Sequence, residues 1–169
     1  VELLATGLTK KGHSATVATM SSARNFDDNQ LFFRVERRPS LIRLWRMIGD
    51  AQVLQLAGPT FLPLLLGLLR RKPIVIEHHG YQAICPNGLL LHQPDQTACP
   101  GHFMDGAHDK CLSCLAATEG YFSGFWQWLR TFPRYWMCRR VAMNAPITKH
   151  VLSRLGLPQS RVIYYGIPE

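Results

Sequence analysis

The stretch KPIVIEHHGYQAICP, residues 72–86, governs the reading of the whole chain. Ile74, Val75 and Ile76 form an unbroken apolar run, as the central strands of parallel sheets do. The run ends in Glu77, His78, His79 and Gly80, titratable side chains followed by a turn residue. In open parallel sheets, ligands bind outside the carboxyl ends of the strands, so a site is expected at this strand end. Beyond it the pattern changes. Residues 79–118 hold four of the five cysteines, with few side chains suited to a core.

Outward from that strand, helices and strands alternate. VELLATGLTKK places Leu3, Leu4, Leu8 and the stem of Lys11 on one helical face, and Gly12 ends the helix. Strands are expected over Ala15–Met20 and Leu31–Val35. Pro39 and Ser40 open a helix with Leu41, Leu44, Trp45 and Ile48 on one side. A strand in AQVLQLAG stops at Gly58-Pro59, and Thr60 caps the helix that follows. Residues 118–140 read as a helix broken or kinked at Pro133. VAMNA is a short strand, Thr148 and Gly156 cap a helix over TKHVLSRLG, and SRVIYYG is a last strand. The expected fold class is α/β: one Rossmann-like parallel sheet with helices on both faces. A long cysteine-rich loop, 79–118, is inserted into it.

Composition sets the bounds. The 169 residues suffice for a domain with a core. With 47% hydrophobic and 18% charged residues, disorder is a poor reading. A net charge of +8 favours an anionic partner: a phosphorylated ligand, an acidic membrane surface or nucleic acid. The longest apolar run, Phe61 to Leu69, falls far short of the roughly 20 residues of a membrane span. The opening residues read as a helix rather than a secretory signal, so the expected compartment is cytoplasmic. There, clustered cysteines favour metal binding or free thiols over disulfides.

The order of these pieces resembles the acceptor-side domain of family-4 retaining glycosyltransferases of the GT-B fold. VELLATGLTKKGHSATVAT is similar to their first helix and second strand. KPIVIEHHGYQAICP is similar to their His-Asp-Tyr…Cys-Pro segment. The later cysteines ending in Cys-x-x-Cys-Leu resemble a cysteine-bearing subset, and LGLPQSRVIYYGIPE resembles the chain's exit from the domain. Gly80 stands where the family often has Asp, Gln55 and Ala57 where it often has histidines, and Tyr165-Gly166 in place of Asn-Gly. The resemblance implies that the family's first strand and Gly-rich loop, and its donor-binding second domain, lie outside residues 1–169. This fragment alone is then expected to be inactive.

Tyr81 and Cys85 align His79 with the family's histidine, which implies contact with the reacting sugar or acceptor. An imidazole at a strand end can donate to a sugar hydroxyl or balance charge near a phosphate. His79 is therefore the candidate catalytic residue. His78, Gly80 and Tyr81 beside it are candidate substrate contacts, the alternative being histidines satisfied inside a turn. Glu77 is read as pairing with a base. Gly58 and Thr60, and Thr148 and Lys149, open helices whose N-termini can hold an anionic group; the alternative is ordinary capping.

A structureless loop of about 40 residues is uncommon in a compact domain. Cys85, Cys99, Cys111 and Cys114 match the four ligands of a structural zinc, with His92, His102 and His108 as substitutes. Iron–sulfur binding, free thiols and a disulfide are the alternatives, and Cys138 reads as a buried helix residue. Helix 121–140 mixes aromatic residues with Arg130, Arg134, Arg139 and Arg140. That mixture suits either peripheral contact with the inner face of the plasma membrane or a core stripe with solvated arginines.

The expected function is the acceptor half of a hexosyltransferase-type enzyme. It moves sugar from a nucleotide-sugar donor to a glycan or lipid-linked acceptor in bacterial surface polysaccharide synthesis. The rivals are a zinc-bearing module for nucleic acid or another anionic ligand, and a non-catalytic Rossmann-like binding domain. Scattered rather than striped basic residues set nucleic acid aside.

Overall fold

The computed structural model describes residues 1–22 and 27–164. The protein is mixed α/β, with small parallel sheets and helices, and divides into two compact units, Val1–Ala51 and Gln52–Glu169. Its parallel strands pair within each unit, two in the first and three in the second. Strand pairing is non-local, and the sequence pattern does not say which strands share a sheet.

In the first unit, α1 (Glu2–Lys10) ends where expected. Gly12 takes φ +83°, and the His13 N–H closes back on the Leu8 carbonyl at 3.1 Å. Its buried residue is Ala5; Leu3, Leu4 and Leu8, the expected inner face, are exposed. Next, β1 (Thr16–Thr19) pairs parallel with β2 (Arg34–Arg37), Thr16 opposite Arg34. The second strand starts three residues later than the sequence suggests. A 3-10 turn at Asp28–Gln30 precedes it, and both Asp28 carboxylate oxygens take 2.7 Å bonds from Arg37. α2 (Leu41–Asp50) starts at the expected cap, where Ser40 Oγ accepts from Arg43 N at 3.3 Å.

The second unit begins as a strand–helix–strand crossover: β3 (Leu54–Leu56), α3 (Phe61–Leu69) and β4 (Ile74–His78). Gly67 lets α3 settle on these strands. A Cβ there would stand 2.7 Å from Leu54 Cδ2 and 2.8 Å from Ile74 Cδ1. β7 (Met143–Pro146) completes a parallel sheet in the order β3-β4-β7. Along β4, Ile74, Ile76 and His78 are buried, while Val75 and Glu77 are half-buried. α6 (Lys149–Leu155) follows, with Thr148 Oγ1 accepting from Val151 N at 3.1 Å and Gly156 in the left-handed region at φ +57°.

Residues 79–118 are not the irregular loop expected, whereas the helix expected after them is present in the long connection from β4 to β7. It contains a hairpin, β5 (Leu91–His92) with β6 (Thr97–Ala98), and the helices α4 (His108–Glu119) and α5 (Tyr121–Cys138). It also has much to bury: Ala83, Ile84, Cys85, Leu90 and Cys99 join Leu56, Ile74 and Ile76 in one core cluster. Of the break or kink expected at Pro133, the break does not occur: α5 runs on through it. Proline removes one N–H and so leaves the Leu129 carbonyl without its usual helical donor. Leu129 and Pro133 are exposed, where water can serve that carbonyl. The expected last strand is reduced to one ladder bridge, Asn144 with Ser160, although Ile163 N still bonds Pro146 O at 3.1 Å. Tyr165 and Gly166 lie outside the described residues.

Candidate functional site at the strand ends and a cysteine-lined cavity

The parallel register sets Leu56 beside Ile76, and His78 beside Pro146. The turns after β3, β4 and β7 therefore open along one sheet edge. On it, Gln55, Glu77 and His79 form a connected set. Glu77 Oε2 is 3.3 Å from His79 Nε2, and its other oxygen accepts a short bond from the Gln55 amide of β3. The base that Glu77 was expected to pair with is thus His79. A carboxylate on one ring nitrogen fixes the orientation of the imidazole. With its side chain 45% exposed, the ring remains open to a ligand.

His78 has the opposite environment. It is fully buried, and its Nε2 lies 2.8 Å from Asn144 Oδ1 on β7. Its Nδ1 is buried and meets no hydrogen-bond partner among the described residues. Burial pushes its pKa below the ordinary value; the Asn144 bond opposes that shift and neighbouring His79 adds to it. The neutral ring ties β4 to β7. Asn144 also donates to the carbonyls of Cys138 (3.0 Å) and Pro158 (2.9 Å), joining four chain segments through one buried amide. The signal for it was a lone amide in the apolar run VAMNAPI, which drew no site assignment.

Gly80 and Tyr81 form a folded-back turn. Tyr81 N donates to Gly88 O at 2.9 Å, and a Cβ on residue 80 would come within 3.1 Å of that same oxygen. That crowding is the local reason a glycine suits this position. Tyr81 is half-buried against the core. Gly58 takes φ +107°, and Thr60 stands at the N-cap of α3, yet its hydroxyl makes no capping bond, contrary to expectation. Thr148 does cap α6, and Lys149, the first residue of that helix, is exposed.

Cys85, Cys99, Cys111 and Cys114 line one cavity of about 10 Å³, with Asn87, His92, His102 and Lys110 also in its wall. All four are buried free thiols. Cys85 enters from the turn after Tyr81 and Cys99 from just beyond β6. Cys111 and Cys114 sit on one face of α4, three residues apart. Cys85 Sγ donates to Asn87 Oδ1 at 3.0 Å. Cys114 Sγ receives Asn87 Nδ2 and the Gln93 N–H, each at 3.3 Å. Burial first, then the neighbouring thiols Cys85, Cys99 and Cys114, push the Cys111 pKa up to about 12. Burial also raises that of Cys85, against the backbone N–H groups of Leu90, Gly88 and Asn87, which favour its charged form. As they stand, no three His, Cys, Asp or Glu side chains among the described residues are gathered into a set that holds a metal ion. Of the substitute ligands, His108 is elsewhere, its ring packed against Phe103, Trp128 and Phe132. Cys138 is buried at the end of α5, as expected.

α5 buries Gly124, Thr131, Met137 and Cys138 and exposes a stripe of Phe122, Trp126, Leu129 and Trp136. The Arg140 guanidinium lies 3.3 Å from the Trp136 ring centroid. Arg134 departs from the expected solvated set: it is half-buried and donates to Gln82 O at 3.1 Å. No helix among the described residues is long and apolar enough to cross a membrane. No protein-family model, no curated protein and no solved structure matches this chain.

Proposed function

We propose that the chain is the acceptor-side half of a retaining, nucleotide-sugar-dependent glycosyltransferase with a Rossmann-like sheet. It serves a glycan or lipid-linked acceptor in bacterial surface polysaccharide synthesis. The observation that carries the reading is His79, open to solvent and held by Glu77 at the carboxyl end of the central strand. Ligands of open parallel sheets bind at such ends. In this reading the His79 ring donates to a hydroxyl of the reacting sugar or acceptor, and Glu77 with Gln55 fixes its direction. Orientation of this kind supplies much of the acceleration in a two-substrate transfer. The donor nucleotide is held by residues outside this sequence. The exposed aromatic stripe of α5 and the +8 charge bring the domain to the anionic inner face of the membrane, where lipid-linked acceptors reside.

The test uses the complete product of the reading frame that contains this chain. Nucleotide release is measured from a panel of nucleotide sugars with lipid-linked and glycan acceptors. Turnover is expected, and His79→Ala should lower kcat by about 10²–10⁴-fold, the range for a positioned acid–base group. A complete protein that consumes no nucleotide sugar, or a His79→Ala variant as active as the parent, defeats the proposal.

A further inference from the structure

We propose that Cys85, Cys99, Cys111 and Cys114 bind one zinc ion as four thiolates in the cavity they share. The inference stands apart from the glycosyltransferase reading. Three successive segments, the turn at Cys85, the end of the hairpin at Cys99 and the helix α4, converge on this one small space, and each brings buried sulfur. A volume of about 10 Å³ is about one water-sized sphere, room for a single ion rather than an iron–sulfur cluster.

The surroundings suit charged sulfur. Asn87 Nδ2 and the Gln93 N–H both point at Cys114 Sγ, each at 3.3 Å. Such donors stabilise a thiolate far more than a neutral thiol. They form the outer layer that fixes metal-ligating sulfurs elsewhere. Four thiolates on a divalent ion leave a net charge of 2−. Lys110 lines the cavity and Arg154 donates to the Cys99 carbonyl at 2.7 Å, so two cations stand near to offset it.

Assembly needs a proton exchange. Cys85 donates its S–H to Asn87 Oδ1, and Cys114 Sγ lies 3.6 Å from Leu91 O. Binding exchanges four S–H protons, released to solvent, for four Zn–S bonds. The sulfurs turn into the cavity, and Asn87 Oδ1 keeps its bond from Leu89 N at 2.9 Å. Zinc is soft enough for an all-sulfur, tetrahedral set.

The experiment takes the 169-residue chain, reduced and stripped of metal, and titrates it with cobalt and then with zinc. One cobalt per chain is expected, with the visible bands of a tetrahedral thiolate complex. Zinc should displace it, and alkylation should find these four thiols protected until a chelator is added. Each of Cys85→Ser, Cys99→Ser, Cys111→Ser and Cys114→Ser should weaken zinc binding at least about 100-fold, the upper end of outer-layer effects. Cys138→Ser, away from the cavity, should leave it unchanged. Wild-type chain that gives no cobalt spectrum overturns the proposal, whatever the variants do. So does a disulfide among the four, or iron–sulfur absorbance in the protein as purified. Loss of binding in His92→Asn with retention in one of the serine variants overturns the four-thiolate set.

Discussion

Asn144→Ala removes a side chain that is fully buried and makes three hydrogen bonds of 2.8–3.0 Å. It strands the carbonyls of Cys138 and Pro158 and the Nε2 of His78. A buried polar group left without a partner costs about 1–3 kcal/mol. Three such groups would sum to about 3–9 kcal/mol on that scale. The lower half applies here, because the bond to Pro158 is only partly buried and the vacated space can admit water. A loss of about 3–5 kcal/mol follows, a large part of the 5–15 kcal/mol that holds a typical domain together. Urea unfolding followed by far-ultraviolet circular dichroism measures it. With a slope near 2 kcal/mol per molar, the midpoint should fall by about 1.5–2.5 M in the transition of the Gln52–Glu169 unit. Asn144→Leu fills the space yet restores no partner, so it should recover only a minor part. A midpoint within about 0.5 M of the parent at unchanged slope would refute the view that this amide is the central tie.

His78 makes the same unit sensitive to acid. Its pKa in the fold lies below the ordinary 6.5, so the unfolded chain takes a proton that the folded chain refuses. Its share of stability is whole above pH 6.5 and falls as pH drops towards the folded pKa, by at most about 1.4 kcal/mol per pH unit. His79 is the titratable neighbour acting on it. In His78→Gln the midpoint should be flatter across that window, and an unchanged acid slope would remove His78 as the cause. On membranes, Arg130, Arg139 and Arg140 each contribute about 1 kcal/mol near an anionic surface. The triple Gln variant should bind anionic vesicles about 100-fold more weakly in a sedimentation assay, with unfolding unchanged. Parent protein that stays in solution beside such vesicles at low salt ends the membrane reading.

Local chemistry was legible in the sequence, and pairing was not. Ser40, Thr148 and Gly156 announced their helix ends because a cap is decided within three or four residues. Thr60 has the right residue type, but its hydroxyl makes no bond. Parity puts residues 74, 76 and 78 on one face of the strand, but in an unbroken apolar run it does not say which face is the core, so the burial of His78 had to come from the structure. What parity cannot tell is that Asn144, 66 residues away, would meet the buried ring. The order within 79–118 was hidden for a related reason. Its apolar residues have no regular period, and Ala83, Ile84 and Leu90 are buried by partners far along the chain.

The crossover between β4 and β7 has one more implication. The entropy of closing a connection grows only with the logarithm of its length, so doubling it costs roughly 0.6 kcal/mol. The two strands lie side by side from Val75 with Met143 to His78 with Pro146, whatever lies between them. Length is therefore not what limits this connection. What anchors the hairpin is burial, since Leu90 and Cys99 belong to the same core cluster as Leu56, Ile74 and Ile76 of the sheet, so a change of length that spares those side chains costs the sheet little, and one that removes them does not.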